Sequence, residues 1–138
     1  MKAIKIVKEG RVEIMDIPQP TVKDGHVLVK VDYVGFCGSD LNTCRGLNPL
    51  VNLPVIPGHE IGATVVELGT NVTTDLKVGT KVTVNPYSNC GVCTACKNNR
   101  PNACRYNETM GVQRDGAMTE YLVSVSYTHL RAHETDSY

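Results

Sequence analysis

The chain has 138 residues, enough for one modest domain with its own core, and its 41% hydrophobic content includes no Trp and one Phe, so aliphatic side chains must fill that core. Lys and Arg number 14 and Asp and Glu 14, a formal net charge of +0, which argues against nucleic acid as the main partner because phosphate binding leaves a basic footprint. The first residues, MKAIKIVK, are broken by lysines and lack the apolar core of a signal peptide, and no stretch approaches the length of a membrane span. The setting expected is soluble, reducing and cytoplasmic, without a membrane partner.

Most of the chain reads as short strands. Residues 3–7 alternate, Glu9-Gly10 turns, and residues 12–16 return as a hairpin partner. Pro18 and Pro20 interrupt pairing. Asp24-Gly25 is a further turn, and from His26 the run VLVKVDYV places Val27, Val29, Val31 and Tyr33 on one face. A short helix is expected after Ser39, capped by Ser39 or Asp40 and stopped by Gly46. Residues 61–68 form a strand closed by Gly69, residues 77–79 turn into a strand over 81–84, and residues 118–123 form a last short strand. Many short strands with regular turn signals indicate a barrel or sandwich, so the fold class is mainly β. There is no internal repeat and no G-x-G-x-x-G, so the chain carries no dinucleotide fingerprint.

Two constellations carry chemistry. Cys90, Cys93, Cys96 and Cys104 form a C-x2-C-x2-C-x7-C run, and Gly91, Asn98, Asn99 and Pro101 let the backbone turn tightly between them. Four thiolates at this spacing close a tetrahedron around one zinc ion, and four protein ligands leave no open position, so the site is structural. The competing readings are two disulfides, which need an oxidising compartment, and four unrelated core thiols. The second constellation is Cys37-Gly38-Ser39-Asp40 after one strand and Gly58-His59-Glu60 before another. Cys37 and His59 each offer a zinc ligand but cannot fill a site alone, where a catalytic zinc takes three and keeps one position for water or substrate. The third is not evident from the residues, and Glu60 stands beside His59 as a ligand or behind one. Taken singly, Cys37 reads as a core thiol and His59 as a turn histidine; the four-cysteine run in the same chain favours metal.

In order along the chain, GFCGSDLN, PGHEIG, CGVCTAC-x7-C and GAMTEYL resemble the zinc-dependent medium-chain alcohol dehydrogenase superfamily, and more narrowly its sorbitol, threonine and sugar-acid dehydrogenase branch, over residues 1–123. The resemblance implies a GroES-like, partly open β-barrel with a structural-zinc lobe. It implies Cys37 and His59 as catalytic zinc ligands, with Glu60 beside the metal and able to replace a ligand transiently. It implies Ser39 as the hydroxyl that bonds the substrate and relays its proton, Asp40 as the residue that orients the site, and Cys90, Cys93, Cys96 and Cys104 as ligands of the structural zinc. The implied activity is oxidation of a secondary alcohol (a polyol, sugar acid or amino-alcohol) to a ketone, with hydride passing to NAD(P). The family's NAD(P)-binding Rossmann domain is not in this sequence, so the chain is expected to be a catalytic-domain fragment, inactive by itself, from a homodimer or homotetramer. The alternative is a stand-alone zinc-stabilised binding module, and a zinc-ribbon nucleic-acid binder is weaker because of the neutral charge.

Two positions depart from the family pattern. Asn42 stands where relatives often carry a histidine in the proton path, and Cys44 has no family role and reads as a small core residue. The final segment departs further. His129 and His133 sit four apart, but Leu130 stands where the H-E-x-x-H zinc motif needs Glu. Residues 125–135, VSYTHLRAHET, resemble the conceptual translation of a transposon-based sequencing adapter. Residues 124–138 are therefore expected to be a non-native tail, outside fold reasoning.

Overall fold

The computed structural model describes residues 1–72, 75–125 and the backbone of 130–132. His129 and His133 lie outside the described residues. Strands β1 (Lys2–Lys8) and β2 (Arg11–Asp16) form the expected antiparallel hairpin, turned at Gly10 with φ 67°. The main sheet has five strands in the order β6-β3-β4-β5-β7, namely β3 (His26–Gly35), β4 (Glu60–Leu68), β5 (Lys81–Val84), β6 (Tyr121–Val125) and β7 (Leu130–Ala132). The hairpin is tied to this sheet through its flanking loops. Ile4 N–H donates to Met118 O and Ile6 N–H to Val55 O, each at 2.9 Å, which closes the sheet in part. The result is a GroES-like, partly open β-barrel.

The core is built from β-branched and small side chains, as a chain without Trp requires. Val27, Val29, Ala63, Val65 and Val82 form one buried cluster, and Ile61, Val84, Met110 and Ala117 a second, with Leu122 packed against both. The expected β3 face is corrected at its far end: Val27 and Val29 are 0% exposed, but Tyr33 is 81% exposed. Register shifts at Leu28/Val29 and Val31/Tyr33 break the two-residue period, so strict alternation cannot hold across the strand. Asp32 ties three strands together. It accepts from Thr64 Oγ1 of β4 and, at 3.0 Å, from Lys81 Nζ of β5, and the Thr64 hydroxyl does most to hold its carboxyl below the ordinary 3.8.

One helix, α1 (Gly38–Cys44), sits at the end of β3. Its cap is Cys37, not Ser39 or Asp40 as the sequence suggests. Asp40 is the third helical residue and reaches back, its Oδ2 accepting the Cys37 N–H at 3.0 Å, the acidic half of a capping box. Gly46, at φ 71°, ends the turn as expected. Among the described residues no helix is long and apolar enough to cross a membrane.

Candidate metal centres

Residues 90–104 form a lobe with little regular structure: a four-residue helix α2 (Thr94–Lys97) and a single 3-10 turn (Pro101–Ala103). Gly91 at φ 70° and Asn99 at φ 59° supply left-handed turns that fold the chain back on itself. The fold-back brings the Cys90, Cys93, Cys96 and Cys104 sulfurs within 4.8 Å of one another. Cys93 Sγ lies 3.5 Å from Cys96 Sγ and 3.9 Å from Cys104 Sγ, and Cys90 Sγ lies 4.0 Å from Cys96 Sγ. All six cysteines are free, and these separations are far beyond a disulfide bond of about 2.05 Å. They match the edge of about 3.8 Å that four sulfurs take at about 2.3 Å from one zinc.

Backbone N–H groups point at the sulfurs. Cys93 N–H donates to Cys90 Sγ, and Cys90 N–H and Tyr106 N–H to Cys104 Sγ, each at 3.3 Å. The Cys96 and Arg105 N–H groups pull the Cys93 thiol down to about 6, and those of Val92 and Cys93 lower Cys90. Cys96 moves the other way, pushed up to about 12 by burial and by the neighbouring Cys93 thiol. Crowded thiols with opposed preferences are what a cation resolves, since a bound metal takes all of them as thiolates.

The second cluster is assembled by strand ends. β3 delivers Cys37 just past its terminus, and β4 begins at Glu60 directly after His59. One donor atom each from Cys37, His59 and Glu60 lies within 4.8 Å of the others. Ser39 Oγ lies 3.5 Å from His59 Nε2, and Nδ1 faces Asp40 Oδ1 at 3.7 Å. His59 Nδ1, turned to Asp40, is buried without a hydrogen-bond partner. The converging sulfur, imidazole and carboxylate are a zinc donor set, so the residues fit a metal. Asp40 is 1% exposed and links the two arms: Oδ2 accepts from Cys37 N–H and Oδ1 from Gly58 N–H at 3.1 Å. Cys37, Ser39, His59 and Glu60 all open onto a cleft of 970 Å³ walled by Ile61, Val84, Pro86 and the exposed Tyr33 and Tyr87.

The loop carrying His59 is held from outside by a segment whose part in the site the sequence reading missed. Asp115 Oδ1 accepts the Ile56 N–H at 2.9 Å, Gly116 N–H donates to Ile56 O at 2.7 Å, and Ala117 N–H donates to Gly58 O at 2.9 Å. A Cβ on Gly116 would stand 2.3 Å from Gly58 O, so only glycine fits against this loop. The signal available was the GAMTEYL motif itself, whose first glycine is the contact. Asn42 is exposed on α1, and Cys44 ends that helix, its carbonyl accepting the Gly10 N–H at 2.7 Å. Neither belongs to a metal-ligating cluster among the described residues.

Residues 23–133 match the family described as the alcohol dehydrogenase GroES-like domain. The chain belongs to that family. It is 41% identical over 122 residues to a zinc-type alcohol dehydrogenase-like protein of Haemophilus influenzae, an alignment covering 88% of this chain and 36% of that protein. It is 42% identical over 107 residues to L-galactonate-5-dehydrogenase of Escherichia coli, covering 78% of this chain and 31% of the enzyme. Among solved structures, galactitol-1-phosphate dehydrogenase from E. coli superposes with a TM-score of 0.87 at 31% identity, over 99% of this chain and 39% of the enzyme. An E. coli CFT073 alcohol dehydrogenase, RspB, solved with NADH superposes at 0.83 with 36% identity, over 94% of this chain and 37% of that protein. The GroES-like chain thus spans about a third of the length of the curated relatives it matches.

Proposed function

We propose that this GroES-like domain is the catalytic part of a zinc-dependent oxidoreductase that oxidises a secondary alcohol, a polyol, sugar acid or amino-alcohol, to a ketone with NAD(P). The observation that carries the reading is the Cys37, His59 and Glu60 cluster, opening with Ser39 onto one cleft. Cys90, Cys93, Cys96 and Cys104 would hold a structural zinc, and Cys37, His59 and Glu60 a catalytic one. Zinc supplies a Lewis acid that lowers the pKa of an alcohol and stabilises the developing negative charge.

The chain's own groups would do the rest. Ser39 Oγ, 3.5 Å from His59 Nε2, would accept the substrate hydroxyl proton and pass its own onward without carrying charge itself. Ser39 is free for this because Cys37, not Ser39, caps α1. Asp40 would keep Cys37 and Gly58 in register through their N–H groups, and so set the backbone on either side of the cluster, with its Oδ1 3.7 Å behind His59 Nδ1. Tyr33, Tyr87 and Ile61 would exclude water from one side of the cleft. The hydride acceptor, the opposite wall and the assembly into dimers or tetramers would come from the portion that the relatives have beyond this chain.

A pure binding module has no use for a sulfur, an imidazole, a carboxylate and a hydroxyl converging on a cleft. The tail completes the proposal: residues 124–138 would be non-native. The β7 pairing neither supports nor opposes this, because ladder hydrogen bonds come from the backbone and accept any extended segment. The test uses the complete protein. His59→Ala is expected to abolish NAD(P)+ reduction across a panel of polyols, sugar acids and amino-alcohols while the fold survives. Ser39→Ala is expected to lower kcat by about 10²–10⁴-fold, the usual worth of a proton-transfer group. Undiminished turnover in the His59→Ala protein would remove the reading.

A further inference from the structure

Gly35 is the last residue of β3 and pairs with Glu60, the first residue of β4. Cross-strand partners normally hold their Cβ atoms about 4.5–5.5 Å apart. Here a Cβ built on Gly35 would lie 3.1 Å from Glu60 Cβ and 2.7 Å from Glu60 Oε2. The Glu60 carboxylate is therefore folded across the face of Gly35 and occupies the space a side chain at 35 would fill. In that position it stands within 4.8 Å of the Cys37 and His59 donor atoms. Neighbouring glycines differ: a Cβ on Gly38 meets nothing within 4 Å, and one on Gly62 meets only the Tyr33 ring at 3.8 Å.

We propose that Gly35 is a positioning residue for Glu60: its missing side chain is the space that lets the carboxylate lie against Cys37 and His59. This rests on the metal-centre reading of those residues. The backbone at Gly35 is not left-handed, so alanine is allowed there. The atom it meets first is the free end of a long side chain, and Glu60 is exposed, so the carboxylate has solvent to swing into. A methyl group at 35 thus removes the carboxylate from the cluster, and its 3.1 Å contact with Glu60 Cβ asks the paired strand ends to part by a few tenths of an ångström.

The experiment titrates the 138-residue chain with Co²⁺ and follows its absorption, which separates the all-sulfur site from the mixed one. Gly35→Ala is expected to leave the four-cysteine site unchanged and to weaken the mixed site by about 10–100-fold, the usual effect of disturbing groups around a metal. Gly38→Ala should change neither. In a Glu60→Ala background, Gly35→Ala should weaken the mixed site no further, because the two act through one group. An unchanged mixed site in Gly35→Ala, or an added loss on top of Glu60→Ala, overturns the proposal. So does a Gly35→Ala chain that fails to unfold cooperatively. If the parent chain takes up a single ion, the metal-centre reading fails, and a crystal structure of Gly35→Ala still decides the inference. A carboxylate displaced from residue 35 supports it, and an unmoved one refutes it.

Discussion

Asp40 shows how much one buried side chain controls. It is 1% exposed, and its two oxygens accept the Cys37 and Gly58 N–H groups, which lie on either side of the mixed cluster. Asp40→Ala would leave both donors without a partner, and each orphaned donor costs about 1–3 kcal/mol. Asp40→Asn would keep one oxygen for two donors that face different atoms, so it should lose about 1–3 kcal/mol. Urea denaturation checks this: midpoints should fall in the order parent, Asn, Ala. Coincident Asn and parent midpoints would mean that one of the two bonds contributes nothing. The identity of Cys37, Ser39, His59 and Glu60 as a group was legible in the sequence, because two short motifs carried it. The cap was not, since Ser39, Asp40 and Cys37 are all able to begin the same helix, and the choice falls on where β3 ends. Gly35 was not legible either. Its role depends on facing Glu60 across a ladder whose register shifts cannot be read from one strand.

At the scale of elements, the lobe of residues 90–104 contrasts with the strands around it. A helix of four residues is far below the length that is stable alone. Cys104 is the single buried hydrophobic residue of the lobe among those described, and Val92 is 68% exposed. Such a segment has little apolar burial to hold it, so a metal bound by the four cysteines would supply the ordering free energy. Stripping zinc with a strong chelator should raise amide exchange and protease cleavage throughout 90–104, while β3 and β4 stay protected. Cys104→Ser should do the same without chelator, and unchanged exchange in the lobe would refute a structural zinc. Acid should act in the same direction, because protons compete with the metal for the four sulfurs. The strands were legible because alternation and turn residues agree at Glu9-Gly10 and Asp24-Gly25. The 3-10 turn and α2 were not, because neither has an apolar stripe and both follow from the cysteines closing on one point.

At the scale of the whole molecule, the core and the cleft meet in residues 109–118. Met110 is 0% exposed and, among the described residues, the largest of the fully buried side chains, packed with Ile61 at the root of the cleft. Its N–H donates to Pro86 O, a residue of the cleft wall, at 2.9 Å. The next residue, Gly111, lies so close to Gly58 that a Cβ there would be 2.9 Å from Gly58 N. Val29 is equally buried but belongs to the other cluster, away from these contacts. Met110→Ala should destabilise the chain by about 2–5 kcal/mol, a large share of the about 5–15 kcal/mol that holds a domain together. Val29→Ala removes a smaller side chain from the first cluster and should cost less. The two variants should differ in kind as well. A cavity at Met110 loosens the contacts that fix the 56–58 loop, so Co²⁺ affinity at the Cys37–His59 cluster should fall under conditions where the protein is still fully folded. A cavity at Val29 should leave that affinity at the parent value. Equal losses for both variants would mean that the cluster responds only to global stability, and that the 109–118 segment is not the element that transmits packing to the site.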